Sequence, residues 1–231
     1  MKISFHNRTR KILASIAAGL IGNLLAYLSS MLTPLQPQVI FDFSHIATFG
    51  TAIAFGPFYG MLAGAIGSIY PYYQYAIMGI YGPWWGLAII LGKSMTGLFC
   101  GLLRGRIPPF LAVTLSYIPE CLFTQGFLQL MTIVLPEGTV TAQLMKGILL
   151  EGWVEVLIFS FMIETVVRRR AMETAVLMLE VFIIMLLVHK QFIELLLALL
   201  LITLITVTLF EIIEPSIKKQ YAKDDGKKDQ T

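Results

Sequence analysis

FSHIATFGTAIAFGPFYGMLAGAIGSIYPYYQYA, residues 43 to 76, holds two apolar segments that meet at Phe55-Gly56-Pro57-Phe58. A glycine ends a helix in a left-handed cap, and a proline, with no N–H to leave unpaired, starts the next. The junction therefore predicts two helices joined with almost no loop, a tight hairpin buried at one membrane face. Working outward with the rule that a span needs about 20 apolar residues, the chain divides into eight candidate spans, approximately 12–32, 43–55, 58–76, 84–103, 109–134, 144–167, 172–188 and 192–213. Proline, glycine or polar residues separate them at 33–40, 70–83, 105–109, 135–141 and 189–191. The fold class is all-α, a polytopic transmembrane helical bundle.

Composition agrees. Of 231 residues 57% are hydrophobic and 13% charged, with a mean hydropathy of +0.77, too apolar for a soluble domain of this size. The net charge of +3 does not point to nucleic acid, because the basic residues form short clusters between apolar runs instead of a patch. Cys100 and Cys121 lie inside apolar segments without metal-ligand spacing and read as packing residues. The first apolar run follows Lys2, Arg8, Arg10 and Lys11 and continues through Leu32 without a small-residue cleavage site, so it reads as a retained helix.

Charge placement tests the segmentation independently. With a cytoplasmic N-terminus, inside loops fall near 56, 105, 169 and the tail, and outside loops near 36, 76, 138 and 190. Lys2, Arg8, Arg10, Lys11, Arg104, Arg106, Arg168, Arg169, Arg170, Lys218, Lys219, Lys223, Lys227 and Lys228 then lie inside, and Lys190 alone among loop residues lies outside. An error of one helix in the first six would destroy that bias. Residues 217–231 read as a solvated, disordered cytoplasmic tail.

Small residues recur at four-residue spacing in three helices: Ala14, Ala18, Gly22 and Ala26 in helix 1, Gly60, Gly64 and Ser68 in helix 3, and Gly97, Gly101 and Gly105 in helix 4. Such stripes let backbones approach closely where lipid supplies no hydrophobic drive between helices. In helices 3 and 4 the expectation is packing inside the bundle. The stripe of helix 1 is long enough to serve a separate subunit as well.

The order of these features resembles the substrate-binding S components of energy-coupling factor transporters. The similarity rests on Phe41-Asp42-Phe43-Ser44-His45-Ile46, on Gly56-Pro57-Phe58-Tyr59-Gly60 followed by Gly64, and on Lys93-x-x-x-Gly97-x-x-x-Gly101, over residues 10 to 170. It implies a six-helix S-component-like core (1–170) that captures a vitamin, vitamin precursor or related micronutrient at the outer face. A transmembrane coupling subunit, docked on Ala14, Ala18 and Gly22, and two ATPase subunits would come from other chains, with membrane lipids around them. Residues 171–214 add a C-terminal two-helix hairpin that this core does not require. No Gly-x-x-x-x-Gly-Lys-Ser/Thr run occurs, so ATP chemistry is assigned to partners and no cofactor is expected.

Candidate binding residues follow from the outer half of the topology. The first outside loop holds Gln36, Gln38 and Asp42, the second Tyr70, Tyr72, Tyr73, Gln74 and Tyr75 before Trp84 and Trp85, and the third Glu137. The aromatics read either as an interfacial belt or as a stacking box for a flat heterocycle. Charges at membrane depth are the sharper signal, since each costs several kcal/mol unless paired or facing a polar cavity. Lys93, Glu120, Glu151 and Glu155 are of this kind, and Glu151 and Glu155 share a helix face. Lys93 is expected either to pair with a glutamate or to meet ligand. The predicted substrate-binding set is Asp42, His45, Tyr72, Tyr73, Gln74, Trp84, Lys93, Gln125, Gln129, Glu151 and Glu155. His45 has no second histidine at ligand spacing, so no metal is expected. Two other classes stay open: an intramembrane enzyme, which would need a nucleophile and base or clustered ligands on facing helices, and a non-transporting scaffold or assembly protein.

Overall fold

The computed structural model describes residues 2–31, 42–79, 82–134 and 142–167, with side chains from Arg8 onward and, in the last segment, from Met145. The expected hairpin at 171–214, the tail, Arg168 to Arg170 and the loop residues Gln36, Gln38 and Glu137 lie outside the described residues. Every element within them is helical: α1 (Lys2–Met31), α2 (Ser44–Phe55), α3 (Pro57–Gly67), α4 (Gly82–Leu103), α5 (Pro109–Val134) and α6 (Ala142–Val167). After Ser68, α3 is prolonged by a short turn, Ile69–Tyr72, and a π-helical turn, Tyr73–Ile77. Among the described residues two stretches, Arg8–Met31 and Gly82–Leu103, are long and apolar enough to cross a membrane.

The junction of α2 and α3 forms as expected with one difference. Gly56 takes φ 105° and ψ −172°, a positive φ with extended ψ that only glycine adopts readily, where the sequence suggested a left-handed helical cap. Its N–H still bonds Ala52 O at 2.9 Å, and Pro57 opens α3. The Arg104 side chain closes this end of the bundle, with Nη1 donating to Ile53 O at 3.4 Å. A cation there meets the negative end of the α2 dipole.

The glycine seams of α3 and α4 face each other in antiparallel register. Gly60 lies on Gly97, Gly64 on the carbonyl of Lys93, and Gly101 on Pro57; a Cβ at Gly64 would fall 2.5 Å from Lys93 O. Apart from Gly105, which lies beyond the end of α4 and is exposed at φ 68°, both stripes thus pack inside the chain. So does that of α1, which corrects the docking assignment. Ala18 is buried, and a Cβ at Gly22 would lie 3.4 Å from Gly67 Cα and 3.5 Å from Ala47 Cβ, so α2 and α3 occupy the surface that the coupling subunit was expected to use. Ala14 is half-buried. The outward face of α1 carries Leu13, Leu20, Leu24, Tyr27 and Met31 instead.

One joint was not foreseen. Asn23 of α1 donates to Ile66 O at 2.6 Å and accepts from Tyr70 N at 2.7 Å. These two groups would bond each other in a continuous α-helix, so the amide bridges the break that Ser68 and Pro71 open in α3.

The bundle buries polar groups within an apolar core and turns large apolar side chains outward. Ser15, Ser29, Thr48, Thr51, Ser68, Lys93, Thr96, Ser116 and Glu155 are buried, whereas Leu111, Leu115, Ile118 and Leu122 of α5 and Leu150, Val154, Leu157 and Phe161 of α6 are exposed. The outward residues recur at four- and three-residue spacing, which gives each helix one continuous apolar stripe.

Candidate functional site

A cavity of about 150 Å³ opens at the end of the bundle opposite Gly56 and Arg104. Because successive helices alternate in direction, its wall is drawn from the start of α2 (Asp42, His45), the prolonged end of α3 (Pro71, Tyr75), the first half of α4 (Trp85, Ala88, Ile89, Lys93), the second half of α5 (Tyr117, Glu120, Thr124, Leu128) and the first half of α6 (Ile148, Leu149, Glu151, Gly152, Glu155).

A network of buried charge forms its floor. Lys93, 2% exposed, donates through Nζ to Asp42 Oδ2 and to Ser44 Oγ. The expected lysine–glutamate pair is therefore a lysine–aspartate pair. Gly64 lets the α4 backbone sit on α3 at Lys93 itself, which aims the side chain across the bundle at the first turn of α2. Asp42 accepts Ser44 N through Oδ1 at 2.8 Å, a local bond of the kind that starts helices. Its own N–H donates to Glu155 Oε1 at 2.5 Å, and His45 Nδ1 stands 3.3 Å from Glu155 Oε2. Thr96 Oγ1 donates to Glu120 Oε2. His45 Nε2 is buried without a partner, and among the described residues Glu151 has neither a hydrogen bond nor an ion pair.

The upper wall is aromatic and aliphatic. Trp85 and Tyr117 are nearly buried, and Tyr117 packs over Gly152 and edge-on to Trp153, with ring centroids 5.2 Å apart. Asp42, His45, Lys93, Glu151 and Glu155 of the predicted set line the cavity. Tyr72, Tyr73, Gln74, Trp84, Gln125 and Gln129 do not: Tyr73 is 50% and Trp84 64% exposed, both glutamines are exposed, and Gln74 accepts from Tyr70 Oη at 3.3 Å. The rule that Tyr and Trp cluster at a site located the right segment and the wrong neighbours, Tyr75 and Trp85 being the residues turned inward. A sharper signal was present in α5, where Tyr117, Glu120, Thr124 and Leu128 follow at spacings of three, four and four. Starting from the costly charge of Glu120 and stepping by helical turns finds that face and leaves Gln125 and Gln129 off it.

No family model, curated protein or solved structure matches the chain.

Proposed function

We propose that this chain is a multi-pass membrane protein that captures a small molecule, of the size and polarity of a vitamin or vitamin precursor, for import by separate coupling and ATPase subunits. The observation that carries the reading is the cavity. Four carboxyl groups, a lysine and a histidine converge at one end of the bundle, at a depth where each such group is costly unless it serves a polar ligand or a partner. A purely structural core has cheaper ways to fill the same space. The inverted surface supports the membrane part of the reading: apolar stripes with Leu122 67% and Leu150 69% exposed suit lipid and would expose a large apolar patch in water. Arg8, Arg10, Lys11, Arg104 and Arg106 all belong to the end away from the cavity, which supports a cytoplasmic end there and a cavity open to the outside. In this reading the chain performs no bond chemistry, and the coupling subunit docks on a surface other than Ala18 and Gly22.

Affinity purification of the tagged chain from its native membrane in mild detergent tests the transport half. The expected result is recovery with a second membrane subunit and two ATPase chains in stoichiometric amounts. Recovery in a stable assembly devoid of any ATPase contradicts it and favours a scaffold.

A further inference from the structure

The hydrogen-bonding inventory of the cavity is one-sided. Its ammonium group among the described residues, Lys93, spends two of its three N–H donors on Asp42 and Ser44. Glu155 is committed to the Asp42 N–H and to His45. When His45 donates its Nδ1 proton to that carboxylate, the neutral ring is left with Nε2 as an acceptor. That atom is buried and has no partner, in a residue 7% exposed that lines the cavity. Glu120 has one oxygen held by Thr96, and among the described residues Glu151 is unpartnered. Among the described residues the lining is therefore weighted toward carboxyl groups and acceptors, beside Trp85 and Tyr75.

We infer that the ligand of this cavity is a small organic cation that donates hydrogen bonds, with a flat ring against Trp85 and Tyr75 and its charged N–H groups toward Glu120, Glu151 and His45 Nε2. The inference rests on the capture reading and narrows it to a substrate class. Aromatic rings attract a desolvated cation, and an anion would meet carboxyl groups with few free donors to receive it. A volume of about 150 Å³, the scale of a cavity that accepts one benzene-sized ring, limits the enclosed part to a single substituted ring. A metal ion is the other cation to consider, but among the described residues no three His, Cys, Asp or Glu side chains stand close enough together to hold one.

Three probes of one shape and different charge test this on the full chain in lipid nanodiscs: benzamidinium, benzamide and benzoate, followed by calorimetry. Benzamidinium is expected to bind at least about tenfold more tightly than benzoate, with benzamide between. Glu120→Gln and Glu151→Gln should each weaken benzamidinium by roughly tenfold, the scale of one lost charge-assisted bond. Binding of benzamide within about twofold of wild type shows that each variant retains its fold. Preference for benzoate, unchanged benzamidinium binding in both variants, or no binding of any probe at millimolar concentration overturns the inference. The capture reading fails separately: a neutral or anionic organic molecule retained by the native chain leaves capture standing and removes the cation, whereas a chain that retains only lipid removes both.

Discussion

Lys93→Met is expected to destabilise the bundle by about 3 to 5 kcal/mol, the cost of removing one partner from a buried ion pair, and adding Asp42→Asn should recover most of that loss. Gly64 packs on the Lys93 backbone, which the change leaves in place, and methionine keeps the length and apolar stem of the lysine, so the change isolates the charge. Alone it leaves the Asp42 carboxylate among buried groups with Ser44 as its hydrogen-bond donor among the described residues. In the double variant the stranded charge is gone, and the remaining amide can share hydrogen bonds with Ser44. A double-mutant cycle read by unfolding in mixed micelles, with helicity as the signal, measures the coupling. Lys93→Met with the stability of wild type, or a double variant as unstable as the single, contradicts the pairing on which the floor of the cavity depends.

Gly97→Leu should prevent the folded bundle from forming at all. The atoms nearest a Cβ there are backbone atoms of Gly60 and Met61 on α3, and backbone cannot swing aside as the tip of a side chain does. Overpacking a core ordinarily costs about 1 to 3 kcal/mol; here two helix backbones must separate along a seam that also holds Gly64 on Lys93, so the cost should exceed that range. Gly126→Leu is the matched control, because a Cβ at Gly126 meets nothing within 4 Å. Size-exclusion profiles and thermal unfolding of the two variants should differ sharply, the first aggregating and the second matching wild type. A well-folded Gly97→Leu protein would show that α3 and α4 do not cross as described.

Much of the architecture was readable in advance because it follows from local, additive signals. Apolar length sets the helices, and the Gly56-Pro57 turn, the glycine seams and the ends of α4, α5 and α6 fall within a few residues of expectation. Side-chain direction around each helix was less accessible. A one-residue step rotates a side chain by about 100°, which separates Trp84 in solvent-exposed space from Trp85 in the wall, and the π-helical turn at Tyr73–Ile77 alters the phase of the aromatic segment again. Partner choice was hidden for a different reason. That Lys93 meets Asp42 and not a glutamate, and that Asn23 bridges Ile66 and Tyr70, depends on which helices become neighbours, information that no single segment holds. The charged cavity residues were legible because burial makes them costly wherever they sit. The docking stripe of α1 was misassigned because small residues promise a close neighbour without saying which one.

The measurement that most directly tests capture is native mass spectrometry of the chain released gently from its own membrane, scored for a bound small molecule. One organic molecule per chain, lost when Ala88→Trp fills the cavity between Trp85 and Lys93, is the result expected. A chain that carries lipid alone, with the same bound mass in wild type and Ala88→Trp, contradicts it.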